Sequence, residues 1–286
     1  MGGANHWARE MKALGHEVKL IAPQYVKPFV KGNKNDYNDA EAIAEAAQRP
    51  SMRFVPIKSM AQQDIQNLHR QRERIKKART ALVNQVRGLL AEYGIVINRG
   101  VASVRRGLPE ILEDGENTLT SRSRQVFAEL YEELRGLDDR FKRSERQIVI
   151  SNRENEVCER LDEILGVGPI TASAVYAAAG DGKDFMNGRH FSAWVGLVPK
   201  QHATGGKPGL LGISKRGNTY LRTLFIHGAR AVLRYCANKS DRFSLWAQSL
   251  LERRGHNKAC VAVANKLARM SWVIMARSER YRPAMG

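Results

Sequence analysis

The sequence contains little cysteine and no long apolar run. Three widely spaced cysteines among 286 residues form no Cys-x-x-Cys pair, which argues against a disulfide framework or a cysteine zinc site and favours a reducing cytosol. The best candidate for a membrane span, residues 259–276, is interrupted by Asn265, Lys266 and Arg269, so we expect no membrane partner. The first residues also lack the basic and then apolar order of a signal peptide.

Acidic side chains are scarce relative to basic ones. There are 29 Asp and Glu against 47 Lys and Arg, which gives a net charge of +18. A chain with 43% hydrophobic residues is too apolar to be disordered, so this charge lies on folded surfaces and favours a polyanionic partner, nucleic acid first. Residues 161–286 carry 19 basic and 7 acidic side chains. Two thirds of the excess charge therefore belongs to the last part of the chain.

The spacing of apolar residues divides the chain into three parts, at 1–60, 61–155 and 156–286. Short strand patterns at 16–23 and 52–56 flank an Ala-rich helical segment at 36–48, which predicts a fragment of an α/β domain. Apolar residues recur every three, four or seven positions over 61–93 and again over 119–150. This predicts two long helices in an antiparallel hairpin or coiled coil, joined by a stretch with Gly and Pro at 100–115. The last part is predicted to be basic and mostly helical.

The apolar stripe of each long helix has two interpretations. It packs within the hairpin, or it forms contacts between two copies of the chain. The stripes consist of Ile65, Leu68, Ile75, Leu82, Val86, Leu89 and Tyr93 on the first helix, and of Val126, Leu130, Leu134, Leu137, Phe141 and Ile148 on the second.

Two carboxylates stand three residues apart at the start of the helix predicted at 36–48. Asp36 and Asp39 share one face of that helix, from which both can ligate a hard cation such as Mg²⁺. Alternatively, Asp36 is the N-cap and the acidic side chains stabilise the first turn through the helix dipole. Spacing alone favours the capping interpretation, because a metal site for phosphoryl transfer also needs carboxylates from other strands.

A turn with two glycines begins the third part of the chain. The order Leu-Gly-Val-Gly-Pro at 165–169 resembles a helix-hairpin-helix turn, in which Gly166 and Gly168 let backbone N–H groups approach a phosphate. The same residues also suit a tight turn between two helices that binds nothing. The sequence does not decide between these interpretations.

A Gly-rich segment, predicted to be a flexible loop, leads into Ser-Lys-Arg-Gly at 214–217. Lys207, Lys215, Arg216 and Arg222 can neutralise phosphate, and Ser214 among these cations can act as a nucleophile. The alternative, which chemistry alone favours, is that Ser214 caps a helix or simply contacts a phosphate. The segment is not a P-loop, because Gly-x-x-x-x-Gly-Lys-Ser/Thr is absent.

Histidines and aromatic residues predict no additional site. The seven histidines show no zinc spacing. Trp194, Trp246 and Trp272 lie in apolar helical contexts and are predicted to belong to the core. With 7% aromatic residues, the chain is poorly supplied for stacking nucleobases.

Several motifs, taken in this order, resemble one family. They are 6–10 (His-Trp-Ala-Arg-Glu), 21–31, 34–36 with 39–42, 166–169 (Gly-Val-Gly-Pro), 194–199 (Trp-Val-Gly-Leu-Val-Pro) and 213–218 (Ile-Ser-Lys-Arg-Gly-Asn). Over essentially its whole length the chain resembles the DEDD transposases of bacterial insertion sequences, the IS110 family, and within it the IS1111 subgroup.

The resemblance implies a fold, a mechanism and partners. It implies an RNase H-like domain of the Holliday-junction-resolvase type over 1–60, in which four acids hold Mg²⁺ and Asp36 and Asp39 match the last two. It also implies a C-terminal transposase domain over 156–286, in which Ser214 matches a serine nucleophile that attacks a DNA phosphodiester at a composite site between protomers. The implied partners are double-stranded DNA, a structured guide RNA and further copies of the chain, as a dimer or tetramer, in the bacterial cytoplasm at the nucleoid. Lys27, Lys31 and Lys34, near the acidic pair, are predicted to contact nucleic acid.

One departure from the family pattern divides the functional hypotheses. Met1 falls just after the point expected for the family's second acid, so the first Asp and the Glu have no counterpart, and we expect an N-terminally truncated member. The chain is then either a transposase and site-specific recombinase that mobilises an insertion sequence, or a catalytically dead remnant or regulator that only binds DNA or RNA. A structure-selective nuclease is a third possibility, and it predicts hydrolysis that survives Ser214→Ala.

Overall fold

Helices predominate in the computed structural model of the chain. It describes residues 3–33, 35–204 and 207–282, and at positions 203, 204, 207 and 208 the backbone alone. Within that part, β-structure is confined to two antiparallel pairs of strands. The mostly helical character agrees with the prediction for 61–286, whereas the α/β character predicted for 1–60 is limited to one short pair.

The N-terminal region, residues 3–58, contains three helices, a 3₁₀ turn and two strands. The predicted strands are found, but each is only two residues long, and Leu20 lies opposite Val55 in an antiparallel ladder. The first strand ends early because Pro23 begins the next helix at a position that suits proline. An RNase H-like sheet therefore stays a prediction. The elements are α1 (Ala4–Ala13), β1 (Leu20–Ile21), α2 (Pro23–Val26), the 3₁₀ turn (Lys27–Phe29), α3 (Asp36–Gln48) and β2 (Phe54–Val55).

The middle of the chain is a helical bundle of α4 (Met60–Ala91), α5 (Val101–Glu113) and α6 (Ser121–Arg153). The two long helices are antiparallel, as predicted, because Arg72 pairs with Glu145 at 2.7 Å and Arg79, one heptad further on, pairs with Asp138. The connecting stretch forms α5, which buries its apolar face against both long helices. The core is therefore shared by three helices, whereas the sequence predicted two.

Most positions of the apolar stripes of α4 and α6 are covered within this bundle, but Leu89, predicted to lie on the α4 stripe, is 39% exposed, and its neighbour Leu90 is buried instead. Ile75, Leu82 and Leu134 are buried in its core, which supports the first interpretation of the stripes. Val126, predicted to lie on the stripe, is 46% exposed, and its neighbour Phe127 is buried instead. Phe127 precedes Leu134 by one heptad, so Val126 points about 100° away from the seam.

The C-terminal region, residues 156–282, is built on one large apolar core with α12 at its centre. This helix packs on α7, α9, α10 and α11. In the described part of the chain it is the one helix long and apolar enough to cross a membrane, and half of its most apolar window is buried in the core. The elements are α7 (Glu156–Asp162), α8 (Pro169–Ala179), α9 (Gly188–Val195), β3 (Pro199–Thr204), β4 (Lys207–Ile213), α10 (Thr219–Tyr235), a 3₁₀ turn (Cys236–Asn238), α11 (Arg242–Arg254) and α12 (His256–Arg277).

The prediction of a flexible Gly-rich loop before Ser214 was wrong. Strands β3 and β4 form an antiparallel hairpin in which Gln201 lies opposite Leu210, with a bulge after Pro199. Ladder hydrogen bonds order this backbone despite its glycines, a long-range effect that local composition does not reveal. Leu210 and Leu211 are 74% and 58% exposed, so the hairpin presents apolar side chains to solvent.

Candidate functional site

Residues 214–218, called here the serine loop, lie between β4 and α10 and rest on the carboxyl end of α9. The backbone N–H of Ser214 donates to the carbonyl oxygen of Val198 at 2.8 Å. The guanidinium of Arg222 donates to the carbonyl oxygens of Val195 at 3.1 Å and Arg216 at 3.5 Å. The motifs at 194–199 and 213–218, which are separate in sequence, thus form one structure.

Two glycines make this contact possible. Gly196 and Gly217 both have positive φ angles, +84° and +93°. A Cβ on Gly217 would lie 1.8 Å from the carbonyl oxygen of Trp194, and one on Gly196 would lie 2.0 Å from that of Arg216. The backbones of the two segments are in direct contact here, at a distance that only glycine permits. The position of the serine loop therefore depends on both glycines.

Within the loop, Ser214 is half-buried, and the two cations that follow it, Lys215 and Arg216, are exposed. Its Oγ accepts a hydrogen bond from the N–H of Arg216 at 3.4 Å. Lys215 has a φ of +53°, a conformation uncommon for a residue with a side chain. The N-cap of α10 is Asn218, whose side chain accepts from the N–H of Leu221 at 3.1 Å. The capping alternative for Ser214 is thus wrong.

A buried histidine, which the sequence did not single out, links the bundle to the start of α10. Nδ1 of His69 lies 3.0 Å from the Tyr220 hydroxyl and Nε2 lies 3.1 Å from Oγ of Ser173, which in turn donates to the carbonyl oxygen of Pro169. Ser173 therefore accepts from Nε2–H, and Nδ1 accepts from the tyrosine. Burial, with Arg72 nearby, lowers the pKa of His69 to about 4, so this histidine is neutral at pH 7. The sequence held one signal for a buried histidine, because His69 follows Ile65 by four residues and so lies on the same face of α4.

A cleft of about 730 Å³ opens beside this network, between α4 and α10. Arg70 and Lys77 of α4 and His227 of α10 line it, and Asn218 and Thr219 bring its end to the serine loop. Such a basic cleft suits the phosphate backbone of a nucleic acid. The sequence showed the Arg and Lys residues between the apolar positions of α4. It did not show that the cleft they line reaches the serine loop.

The Gly166 turn serves helix packing. A Cβ on Gly166 would lie 2.6 Å from Cγ2 of Val232, and one on Gly228 would lie 1.9 Å from the carbonyl oxygen of Gly166. These contacts with α10 support the tight-turn interpretation for this residue. Gly168 is exposed and is the N-cap of α8, and a phosphate contact there stays a prediction.

The acidic pair lies in the first turn of α3. Its N-cap is Asn35, whose Oδ1 accepts from the N–H of Asn38 at 2.7 Å, so the expectation that Asp36 caps the helix was wrong. Two carboxylates fit Mg²⁺, which commonly takes one or two from the protein and completes its shell with water and phosphate. In the described part of the chain, no third His, Cys, Asp or Glu groups with Asp36 and Asp39. A magnesium site at this pair of carboxylates stays a prediction.

The lysines predicted near the acidic pair are in different situations. Lys27 is exposed on the 3₁₀ turn, whereas Lys31 lies 3.6 Å from Glu41 and 3.7 Å from Glu45, along α3. Lys34 lies outside the described residues, as does the side chain of Lys207. Among the residues described, no hydrogen bond or ion pair joins 36–39 to the serine loop.

Two family models match this chain. Residues 5–95 match a model described as "Transposase", of the DEDD type of IS110 elements, and residues 158–244 match one described as "Transposase IS116/IS110/IS902 family". A Pseudomonas aeruginosa protein named "Probable family 20 transposase" is 53% identical over 283 residues, which are 99% of this chain and 84% of the relative. The chain belongs to the IS110/IS116/IS902 family of transposases.

Other relatives agree with this assignment. The chain is 52% identical over 281 residues to the "Transposase for insertion sequence element IS1111A" of Coxiella burnetii, covering 98% of this chain and 77% of the relative. It is 42% identical over 272 residues to the "Transposase for insertion sequence element IS1328" of Yersinia enterocolitica, covering 95% and 80%. The resemblance read from the motifs is thereby confirmed. Membership in this transposase family implies DNA binding, and one matched region contains the acidic pair while the other contains the serine loop.

Proposed function

We propose that this family member acts in DNA transposition by recombination, with Ser214 as the nucleophile. The observation that carries the proposal is the serine loop. It places the Ser214 hydroxyl directly before Lys215 and Arg216, is anchored on α9 by backbone contacts, and leads into α10 beside a basic cleft. A phosphate bound at the loop would meet the two exposed cations next to the hydroxyl, whose positive charge lowers the energy of the negatively charged transition state.

The reaction is a transesterification. Oγ of Ser214 attacks the phosphorus of a DNA phosphodiester, a P–Oγ bond forms, and the bond from phosphorus to the departing deoxyribose oxygen breaks. The proton of the serine hydroxyl passes to water, and the departing oxygen takes up a proton. The number of phosphate ester bonds is unchanged, so no energy source is needed. Attack by another strand's hydroxyl on the protein–DNA ester then joins the new strand and restores the serine.

The three cations in and beside the serine loop have different proposed roles. Lys215 and Arg216 are exposed and free to face a phosphate. Arg222 was expected to neutralise phosphate too, but its guanidinium donates to two carbonyl oxygens and to Oγ1 of Thr219. We assign it to positioning the loop.

Asp36 and Asp39 are proposed to hold Mg²⁺ together with a DNA phosphate. When bound, the ion would polarise the phosphoryl oxygen. The contribution of this chain is two carboxylates in the first turn of α3, which would supply oxygen ligands. Because no described contact brings these carboxylates to the serine loop, we propose that a second copy of the chain does so on DNA, with a structured guide RNA as a further partner, in the bacterial cytoplasm.

The test is a search for covalent protein–DNA adducts. The full chain is incubated with labelled duplex DNA and Mg²⁺, with and without the RNA transcribed from the flanking element, and adducts are resolved under denaturing conditions. Adducts should form with the wild-type protein and with Ser240→Ala, an exposed serine elsewhere, and should disappear with Ser214→Ala. Undiminished adducts in Ser214→Ala would overturn the assignment of this serine.

A non-catalytic nucleic-acid-binding protein is the second candidate function. It is favoured by the lack of a third metal-ligating residue beside Asp36 and Asp39 among the residues described. This function predicts DNA or RNA binding by the wild-type chain with no adduct under any of the conditions above. A structure-selective nuclease would instead cleave the strand by hydrolysis and would retain that activity in Ser214→Ala.

A further inference from the structure

The amino end of α9 borders a second basic groove, away from the serine loop. Two adjoining cavities of about 740 and 710 Å³ run along α12 and share Lys266, Met270 and Val273. We call them together the α12 groove. Its walls come from the start of α9, from α11 and from residues 278–282. With eight residues in α9, about 12 Å of helix separates the end at the groove from the end on which the serine loop rests.

Most cations of this groove lack acidic partners among the described residues; the exception is Arg280, which lies 2.8 Å from Glu163. Arg189, Arg242, Lys266 and Arg269 line it, and none of them forms an ion pair with a carboxylate of the described chain. Burial and the nearby arginines lower the pKa of Lys266, the direction expected where like charges are held together. The one acidic lining residue, Glu279, lies 3.8 Å from Arg277. A polyanion would relieve this concentration of positive charge.

Aromatic rings stand among these cations. The ammonium of Lys266 lies 4.2 Å from the centroid of the Trp246 ring, and Phe243 stacks on the same tryptophan at 5.9 Å and 20°. Trp272 is fixed by donation from Nε1 to the carbonyl oxygen of Gly182 at 3.0 Å. The sequence predicted both tryptophans in the core. They contact it, but they are half-buried and form a wall of the groove.

We propose that the α12 groove binds an unpaired stretch of polynucleotide, with phosphates at Arg189, Arg242 and Arg269 and a nucleobase against Trp246. Cations that follow a backbone, combined with an aromatic face for a base, are the usual means of holding a single strand. In a duplex both faces of each base are already stacked, so its bases are not free to lie against Trp246. The proposal rests on the DNA binding implied by the family and not on the chemistry of Ser214.

The test measures binding of fluorescently labelled oligo(dT), oligo(U) and a hairpin duplex by anisotropy over a range of salt concentrations. Arg269→Gln and Arg189→Gln should each weaken binding of the single strands and reduce the slope of log affinity against log salt by about one. Trp246→Leu should weaken it on the order of tenfold, whereas Trp246→Phe, which keeps a stacking face, should retain most of the affinity. Arg254→Gln is the matched control, because this exposed arginine lies on α11, the helix that carries Trp246, but outside the groove.

The outcomes separate this proposal from the previous one. Tighter binding of oligo(U) or of oligo(dT) supports the groove with RNA or DNA, respectively, as the source of the strand. The proposal is overturned if the affinity for single strands is unchanged in both Arg269→Gln and Trp246→Leu. It is also overturned if these variants lose as much affinity for the hairpin duplex as for the single strands. Ser214→Ala should bind as the wild type does, so lost adducts with intact binding concern the serine alone.

Discussion

The N-terminal and C-terminal regions of this chain are held together by different interactions. In residues 3–58 the buried apolar side chains are all alanines, Ala8, Ala42 and Ala46. In residues 156–282 a continuous core contains fully buried large side chains such as Phe191 and Phe225. Burial of a large apolar side chain contributes about 1.5–3 kcal/mol, so the C-terminal region gains most of its stability from its core, whereas the N-terminal region relies on caps and surface pairs.

The two halves of the proposed site, the serine loop and the acidic pair, lie in these two different regions. The serine loop is anchored on α9, which is a part of the large core, through backbone contacts at Gly196 and Gly217. Asp36 and Asp39 stand on α3, whose contacts are mainly with α2 and the adjoining 3₁₀ turn. The loop therefore has a geometry that its own region enforces, while the acidic pair is held by few contacts.

The largest expected effect comes from removing a ring from the C-terminal core. Phe225→Ala should lower the free energy of unfolding by about 3–5 kcal/mol, because it removes a fully buried ring and leaves a cavity. Tyr37→Ala, a change from aromatic residue to alanine at an 89% exposed position of α3, should change it by less than about 0.5 kcal/mol. Urea unfolding checks both values. Equal losses would mean that the N-terminal region has a core of its own.

The His69 network should make stability depend on pH. Its folded pKa is about 4 against an ordinary value of 6.5, so the unfolded chain binds the proton more readily. The stabilisation is complete above pH 6.5 and is lost as pH falls towards 4, by up to about 3 kcal/mol. Urea unfolding at several pH values measures this loss, and His69→Gln should flatten the profile. A profile that falls equally steeply in the variant would place the titrating group elsewhere.

The backbone contact under the serine loop should be sensitive to one methyl group. Gly217→Ala combines a positive φ with a collision against the carbonyl oxygen of Trp194, so we expect a loss of about 2 kcal/mol or more. Gly212→Ala, in β4, has open space around its Cβ position and should change stability little. Thermal unfolding reports stability, and the adduct assay should show a lower yield for Gly217→Ala alone.

The smallest expected effects come from removing helix caps, and they test whether the two regions unfold together. Asn35 caps α3 and Asn218 caps α10, so replacing either by alanine should cost about 1 kcal/mol of helix stability. In α10 the loss should appear in global unfolding, because that helix belongs to the large core. In α3 it should appear as faster amide exchange over residues 36–40 with little change in the unfolding midpoint. A shift of the midpoint by Asn35→Ala equal to that of Asn218→Ala would show that the regions unfold as one unit.

Where local spacing decides the structure, the sequence was a good guide. The heptad spacing of 134, 141 and 148 and the matching apolar positions of α4 predicted two long antiparallel helices, and Pro23 marked the end of the first strand. Prediction failed where distant segments meet. The Gly-rich composition before Ser214 indicated a loop, but pairing with β3 places Gly209 and Gly212 in a strand. Trp246 and Trp272 indicated core, because nothing local revealed the cations that α9 and α12 place beside them.

The sequence by itself determined that this chain belongs to a family of transposases, because ordered motifs survive in the linear chain. It also determined the charge that favours a nucleic acid and the residues to which the proposed chemistry is assigned. Only the tertiary structure decided that the motifs at 194–199 and 213–218 pack together, that His69 contacts the start of α10, and that several cations and two tryptophans share a groove. These are contacts between residues far apart in the chain, and their energies depend on distance and burial, which composition and spacing do not specify.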